Sequence, residues 1–102
     1  MARKITTDAV HAFMNGENFS RDNTQVRLEA EVCSLVHLYL HGNLIAKRFK
    51  EGDKTILMVS NAGWQSNTTK ERLNGLPGVS VCQRKGVWYL NGVEWDGSWK
   101  TV

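Results

Sequence analysis

The stretch Thr24-Gln25-Val26-Arg27-Leu28-Glu29-Ala30-Glu31-Val32 decides the fold class. Val26, Leu28, Ala30 and Val32 alternate with Arg27, Glu29 and Glu31. That period of two puts one face of an extended strand in a core and the other in water. Reading towards the C-terminus, Leu35 to Leu40 is a second strand with apolar residues on both faces. Gly42-Asn43 is a two-residue turn, and Leu44 to Phe49 returns as a third strand. Glu51-Gly52-Asp53 turns the chain again, and Thr55 to Ser60 is a fourth strand rich in β-formers. Residues 24–60 therefore read as an antiparallel meander.

The flanks change period. In residues 1–23, Thr6-Thr7-Asp8 offers side-chain oxygens to the free N–H groups of a helix start. Val10, Phe13 and Met14 follow at i, i+3, i+4, and Asn15-Gly16 tolerates the left-handed turn that ends a helix. The expected first helix is Thr7 to Asn15, with a polar link to Asn23 anchored by Phe19. Beyond the meander, Thr68-x-x-Glu71 has the spacing of a capping box, and Pro77-Gly78 ends a second helix expected over 68–76. In residues 79–99, Val79 to Cys82 is extended, Arg84-Lys85-Gly86 turns, and Val87 to Leu90 pairs back. Asn91-Gly92 then makes a further hairpin turn. The expected fold is α+β: an antiparallel sheet of about four strands plus a short C-terminal β-hairpin, with two short helices, in a single domain over 1–102.

Composition agrees with one ordinary globular domain. At 102 residues, 41% hydrophobic and 23% charged, the chain can bury one core and is not biased towards disorder. No apolar run follows Met1-Ala2-Arg3-Lys4, so no secretory leader is expected, and no segment is apolar enough for a membrane helix. Cys33 and Cys82 both fall in strand-like patterns without CxxC spacing. They read as buried thiols, a disulfide or a metal pair being the alternatives. His37 and His41 lie roughly 13 Å apart along an extended strand and cannot share a metal without a bend at His41-Gly42. No phosphate-binding glycine loop, HExxH or GxSxG is present, so no enzyme, cofactor or metal is expected.

Charge and aromatic content point instead to binding. Lys47, Arg48, Lys50 and Lys54 face only Glu51 and Asp53 over residues 44–54, a net +2. Lys70, Arg72, Arg84 and Lys85 face only Glu71 over 70–85, a net +3, which with the first stretch exceeds the whole chain's +3. Trp64 sits in a polar loop where no periodicity accounts for it, as a core plug or as a contact residue. Cations for phosphates beside rings for bases are the composition of a nucleic-acid surface, against the alternative of an ordinary solvated one. The candidate contacts are Lys47, Arg48, Trp64, Asn67, Thr69, Lys70, Arg72, Arg84 and Lys85. Asn67, Thr68, Thr69 and Lys70 would also suit an anion at a helix N-terminus, were Glu71 not expected to occupy part of that site. Exposed aromatics in the C-terminal hairpin could alternatively anchor a protein partner or a homodimer.

Three stretches together resemble a small domain of tailed bacteriophages: Leu40-His41-Gly42-Asn43-Leu44-Ile45-Ala46-Lys47-Arg48, Ala62-Gly63-Trp64-Gln65-Ser66-Asn67-Thr68-Thr69-Lys70-Glu71-Arg72-Leu73-Asn74, and Lys85-Gly86-Val87-Trp88-Tyr89-Leu90-Asn91-Gly92. The likeness covers roughly residues 35 to 97 and leaves the first helix outside. It implies a viral origin and action in the cytoplasm of a host bacterium. It implies no activity and no site residues. The expected function is a non-catalytic phage accessory protein that binds DNA or RNA, or else an inhibitor that binds a host protein.

Overall fold

The computed structural model describes residues 4–30, 34–63 and 66–102. In chain order the elements are α1 (Lys4–Asn15), β1 (Phe19–Arg21), β2 (Thr24–Ala30), β3 (Leu35–Leu40), β4 (Asn43–Glu51), β5 (Lys54–Val59), α2 (Asn67–Asn74), β6 (Val81–Arg84), β7 (Val87–Leu90), β8 (Val93–Glu94) and β9 (Lys100–Thr101). The class is α+β with antiparallel pairing, as expected. The strand count is higher. One sheet has six strands in the order β1-β2-β3-β4-β5-β9, and a second has three, β6-β7-β8. The expected polar link contains β1, which pairs with β2 in register Phe19↔Val26. The C-terminal region reaches back to the large sheet, where β9 pairs with Met58 and Val59 of β5.

Turn chemistry sets the meander. His41-Gly42 connects β3 to β4 with φ of 52° and 78°, so the turn lies one residue before the expected Gly42-Asn43. Two positive φ values match the right-handed twist of the paired strands. A bulge follows at once. Leu38 pairs with Ala46 but Tyr39 with Leu44, and the extra residue, Ile45, is buried.

Both helices cover one face of the large sheet. Val26, Val36, Leu38, Ala46 and Val59 point into that side, against Ala9, Ala12 and Phe13 of α1 and Leu73 of α2. The buried residues of α1 are Thr6, Ala9, Ala12 and Phe13, so the expected stripe of Val10, Phe13 and Met14 is rotated, and Met14 is exposed. Alanines let the helix axis lie close to the sheet. Arg48 points inward from β4 and donates Nε and Nη2 to the Phe13 carbonyl (3.1 and 2.9 Å), satisfying an orphan C=O at the end of α1.

The expected capping box is displaced. Ser66, with extended backbone, is the N-cap of α2, and its Oγ accepts from Thr69 N (3.2 Å). Glu71 is engaged elsewhere, with Arg72 and with Thr6, whose hydroxyl donates to it (2.7 Å). The small sheet is tied to α2 by the Asn74 side chain, which pairs with both N and O of Val81 like a strand partner. Trp88 and Trp95 pack together in the continuing core. Cys82, expected to be buried, is exposed, because it alternates outward on β6; Cys33 lies outside the described residues.

Candidate nucleic-acid interface

The residues expected to contact nucleic acid divide among three environments. Arg72 is only 2% exposed. It donates Nε to Thr24 Oγ1 (3.0 Å) and Nη1 to Thr6 Oγ1 (2.6 Å), and it pairs with Glu71. Its guanidinium thus ties α2 to α1 and β2 from inside. Arg48 and Thr69 are also buried, the first capping α1 and the second against Ser66. These three have internal partners because each lies on the covered side of its element, and as built they offer nothing to a phosphate at the surface. Trp64 lies outside the described residues.

Asn67 and Lys70 lie on α2, Arg84 at the end of β6 and Lys85 in the β6–β7 turn. Lys70 Nζ donates to Gln83 Oε1 (2.9 Å), which places α2 beside β6. The same Nζ lies 5.6 Å above the ring of Trp88. That ring is buried, so Lys70 offers a cation without an open aromatic surface.

Lys47 is on the opposite side of the large sheet. The pairing Arg27↔His37↔Lys47↔Met58↔Thr101 runs across five strands and defines the face that carries neither helix. Gln25, Tyr39 and Leu44 form a second row, and Phe49 and Ile56 a third. Lys47 Nζ stands 4.7 Å over the ring of Trp99, which is 37% exposed. Tyr39 and His37 meet edge to face, with centroids 5.9 Å apart. The Tyr39 hydroxyl donates to Glu29 Oε1 (3.3 Å), and burial first, then the Glu29 charge, pushes its pKa up. Among the described residues, Arg27 and Lys47 thus share this face with the rings of His37, Tyr39, Phe49 and Trp99, and Glu29 is engaged with Tyr39 and His37.

Of this face, only Lys47 was among the sequence candidates. The signal for the others was the same alternation that revealed the strands: positions 25, 27, 37, 39, 47 and 49 all fall on the non-core parity. Trp99 carried no such signal, since its place depends on β9 joining a distant strand. Among the described residues no cluster of three or more metal-ligating side chains occurs, and no helix is long and apolar enough to cross a membrane.

The model of one protein family, described as Kyanoviridae Gp96 protein, matches residues 2–101. The match takes in α1, beyond the span of the resemblance read from the sequence. No curated protein and no solved structure matches the chain.

Proposed function

This chain belongs to the bacteriophage family of Kyanoviridae Gp96 proteins, and on that premise we propose a non-catalytic accessory protein that binds single-stranded nucleic acid in the host cytoplasm. The observation that carries the reading is the helix-free face of the six-stranded sheet, with Lys47 over the Trp99 ring and Arg27, Tyr39 and Phe49 around it. Unpaired bases present flat faces that stack on half-exposed rings, while cations between the rings meet the phosphates. Duplex has no such free faces, and the sheet offers no helix to enter a groove. Lys70, Arg84 and Lys85, with Asn67, are then secondary contacts.

The test is titration of labelled single- and double-stranded DNA and RNA across a salt series. Single strands should bind more tightly, with a steep salt slope. Trp99→Ala should weaken binding by about 5- to 100-fold, the range for losing one stacked base, and Lys47→Ala should also flatten the salt slope by roughly 0.7. Lys85→Ala should change little. Absence of binding at low salt by the folded protein, or a loss that follows Lys85 rather than Trp99, would overturn the reading.

A second reading rests on the same face. Leu35, Leu44, Ile56 and Met58 are half-buried there with no helix above them, which suits an apolar protein partner, a host target or a second copy. Binding to one host protein in stoichiometric amount that survives a moderate-salt wash, with no nucleic-acid affinity, would favour it. A dimer at micromolar concentration, broken by Met58→Lys, would favour self-association.

A further inference from the structure

At the C-terminal end of α1 lies a recess of about 390 Å³, walled by Leu28 and Val36, with Met14, Gly16, Ser34 and Arg48 around it. Leu28, Val36 and Arg48 are partners across β2, β3 and β4, so all three point to the helix-bearing side of the sheet. The recess is therefore separate from the face read above as a nucleic-acid surface. Its volume is at the low end for small-molecule pockets, which start at roughly 300 Å³. We propose that it binds a short aliphatic carboxylate, the anionic end on the Arg48 guanidinium and the stem against Leu28 and Val36.

Arg48 supplies the charge. It is only 9% exposed, and among the described residues no carboxylate pairs with it. Burial lowers its pKa, and no neighbouring anion opposes that shift. The end of α1 offsets part of the charge, since a helix C-terminus carries about half a negative charge and the Phe13 carbonyl accepts from Nε and Nη2. Roughly half a positive charge is left without a counterion. A desolvated cation in that state is costly, and a bound anion relieves it.

The guanidinium also selects the anion. Of its five N–H groups, two are spent on Phe13 O, both from the Nε side. The far end keeps one N–H on Nη1 and one on Nη2 that run parallel, the fork that takes a carboxylate through both oxygens. Nη1 makes no hydrogen bond and is not sealed from water: among the described residues, the unpartnered side-chain nitrogens that are sealed are those of Asn61 and Trp88. Its opening is the recess that Arg48 lines. The Ser34 hydroxyl, also without a partner, adds a donor. Asn15 is exposed at the rim, with Nδ2 committed to His11 O (2.7 Å) and its oxygen open to water. The described lining holds no acid and no second cation, so it matches a monoanion with an apolar stem better than a phosphate dianion.

The test does not depend on the nucleic-acid reading. Sodium hexanoate is titrated into the isotope-labelled protein at constant ionic strength, and the Arg48 Nε–H and the backbone amides are followed. Saturable shifts should gather at Arg48, Gly16 and Ser34. Hexanol lacks the charge, acetate lacks the stem and inorganic phosphate brings a second charge; each should bind at least about fivefold more weakly, the scale of one hydrogen bond. Met14, exposed at the rim, allows the field to be changed without disturbing the core. Met14→Lys should tighten hexanoate and Met14→Glu should weaken it, each by about two- to fivefold. Arg48→Lys keeps the charge but loses the fork, and the folded variant should bind hexanoate more weakly. N-acetyl-leucine separates the sources of the carboxylate: tighter binding than hexanoate assigns the recess to a chain end, and weaker binding to a free acid. Hexanol binding as tightly as hexanoate, shifts that never saturate or that gather elsewhere, or an affinity indifferent to the charge at position 14 would overturn the proposal.

Discussion

The guanidinium of Arg72 is held inside the fold, 2% exposed, whereas the ammonium of Lys70 two residues earlier on α2 reaches Gln83 at the surface. What separates them is Thr6 and Thr24, far away in sequence, whose hydroxyls meet the guanidinium inside the fold. Arginine suits that role, because five fixed donors can join three elements at once. Tyr39 shows a local environment that can be titrated. Burial and then Glu29 raise its pKa, so the folded value exceeds the unfolded one. Its contribution to stability is complete below the ordinary tyrosine pKa of about 10 and is lost as pH rises through the folded value. In a Tyr89→Phe background, where Tyr39 is the only tyrosine, ultraviolet titration should place its midpoint above the ordinary value. Glu29→Gln should move that midpoint part of the way back, since burial remains. An unmoved midpoint would deny Glu29 its part.

At the scale of elements, the meander was readable because period and turn residues act over a few neighbours. The ends of elements were less so. For α2 the sequence reading puts the cap at Thr68 with Glu71, whereas the structure puts it at Ser66, which accepts from Thr69 N. The extended backbone of Ser66 and the needs of buried Arg72 decide between them. Urea unfolding checks this choice. Ser66→Ala should cost about 1 kcal/mol, and Thr68→Ala close to nothing; the reverse order would restore the expected box. The short strands β1 and β9 escaped notice because three and two residues are too few to show a period, and only their partners make them strands.

At the scale of the whole molecule, the sequence could not say that its basic residues lie on opposite sides of one sheet. That division follows from both helices packing on the same face, a long-range fact. The C-terminal segment is held by a close approach. Gly97 O accepts from Asn61 N (3.1 Å) and Ser60 Oγ (2.9 Å), and a Cβ on Gly97 would stand 2.3 Å from the Asn61 amide, at a φ of 90°. Gly97→Ala should therefore cost about 2–4 kcal/mol in urea unfolding, combining overpacking with backbone strain. Gly92→Ala, at φ 84° but in open space, should cost only about 1 kcal/mol. Equal costs would mean that the approach at Gly97 is not what holds the segment.

Five of the strand-to-strand connections are two residues long, at 22–23, 41–42, 52–53, 85–86 and 91–92. Closing such short loops sacrifices little chain entropy, so each hairpin can zip from its own turn without waiting for distant partners. The contacts of Arg72 and the joining of β9 to β5 span most of the chain and must await that zipping. We expect a transition state in which the meander is formed and the C-terminal clasp is still open. In stopped-flow measurements Gly97→Ala should then speed unfolding while leaving the refolding rate nearly unchanged, and a slowed refolding arm would refute that order.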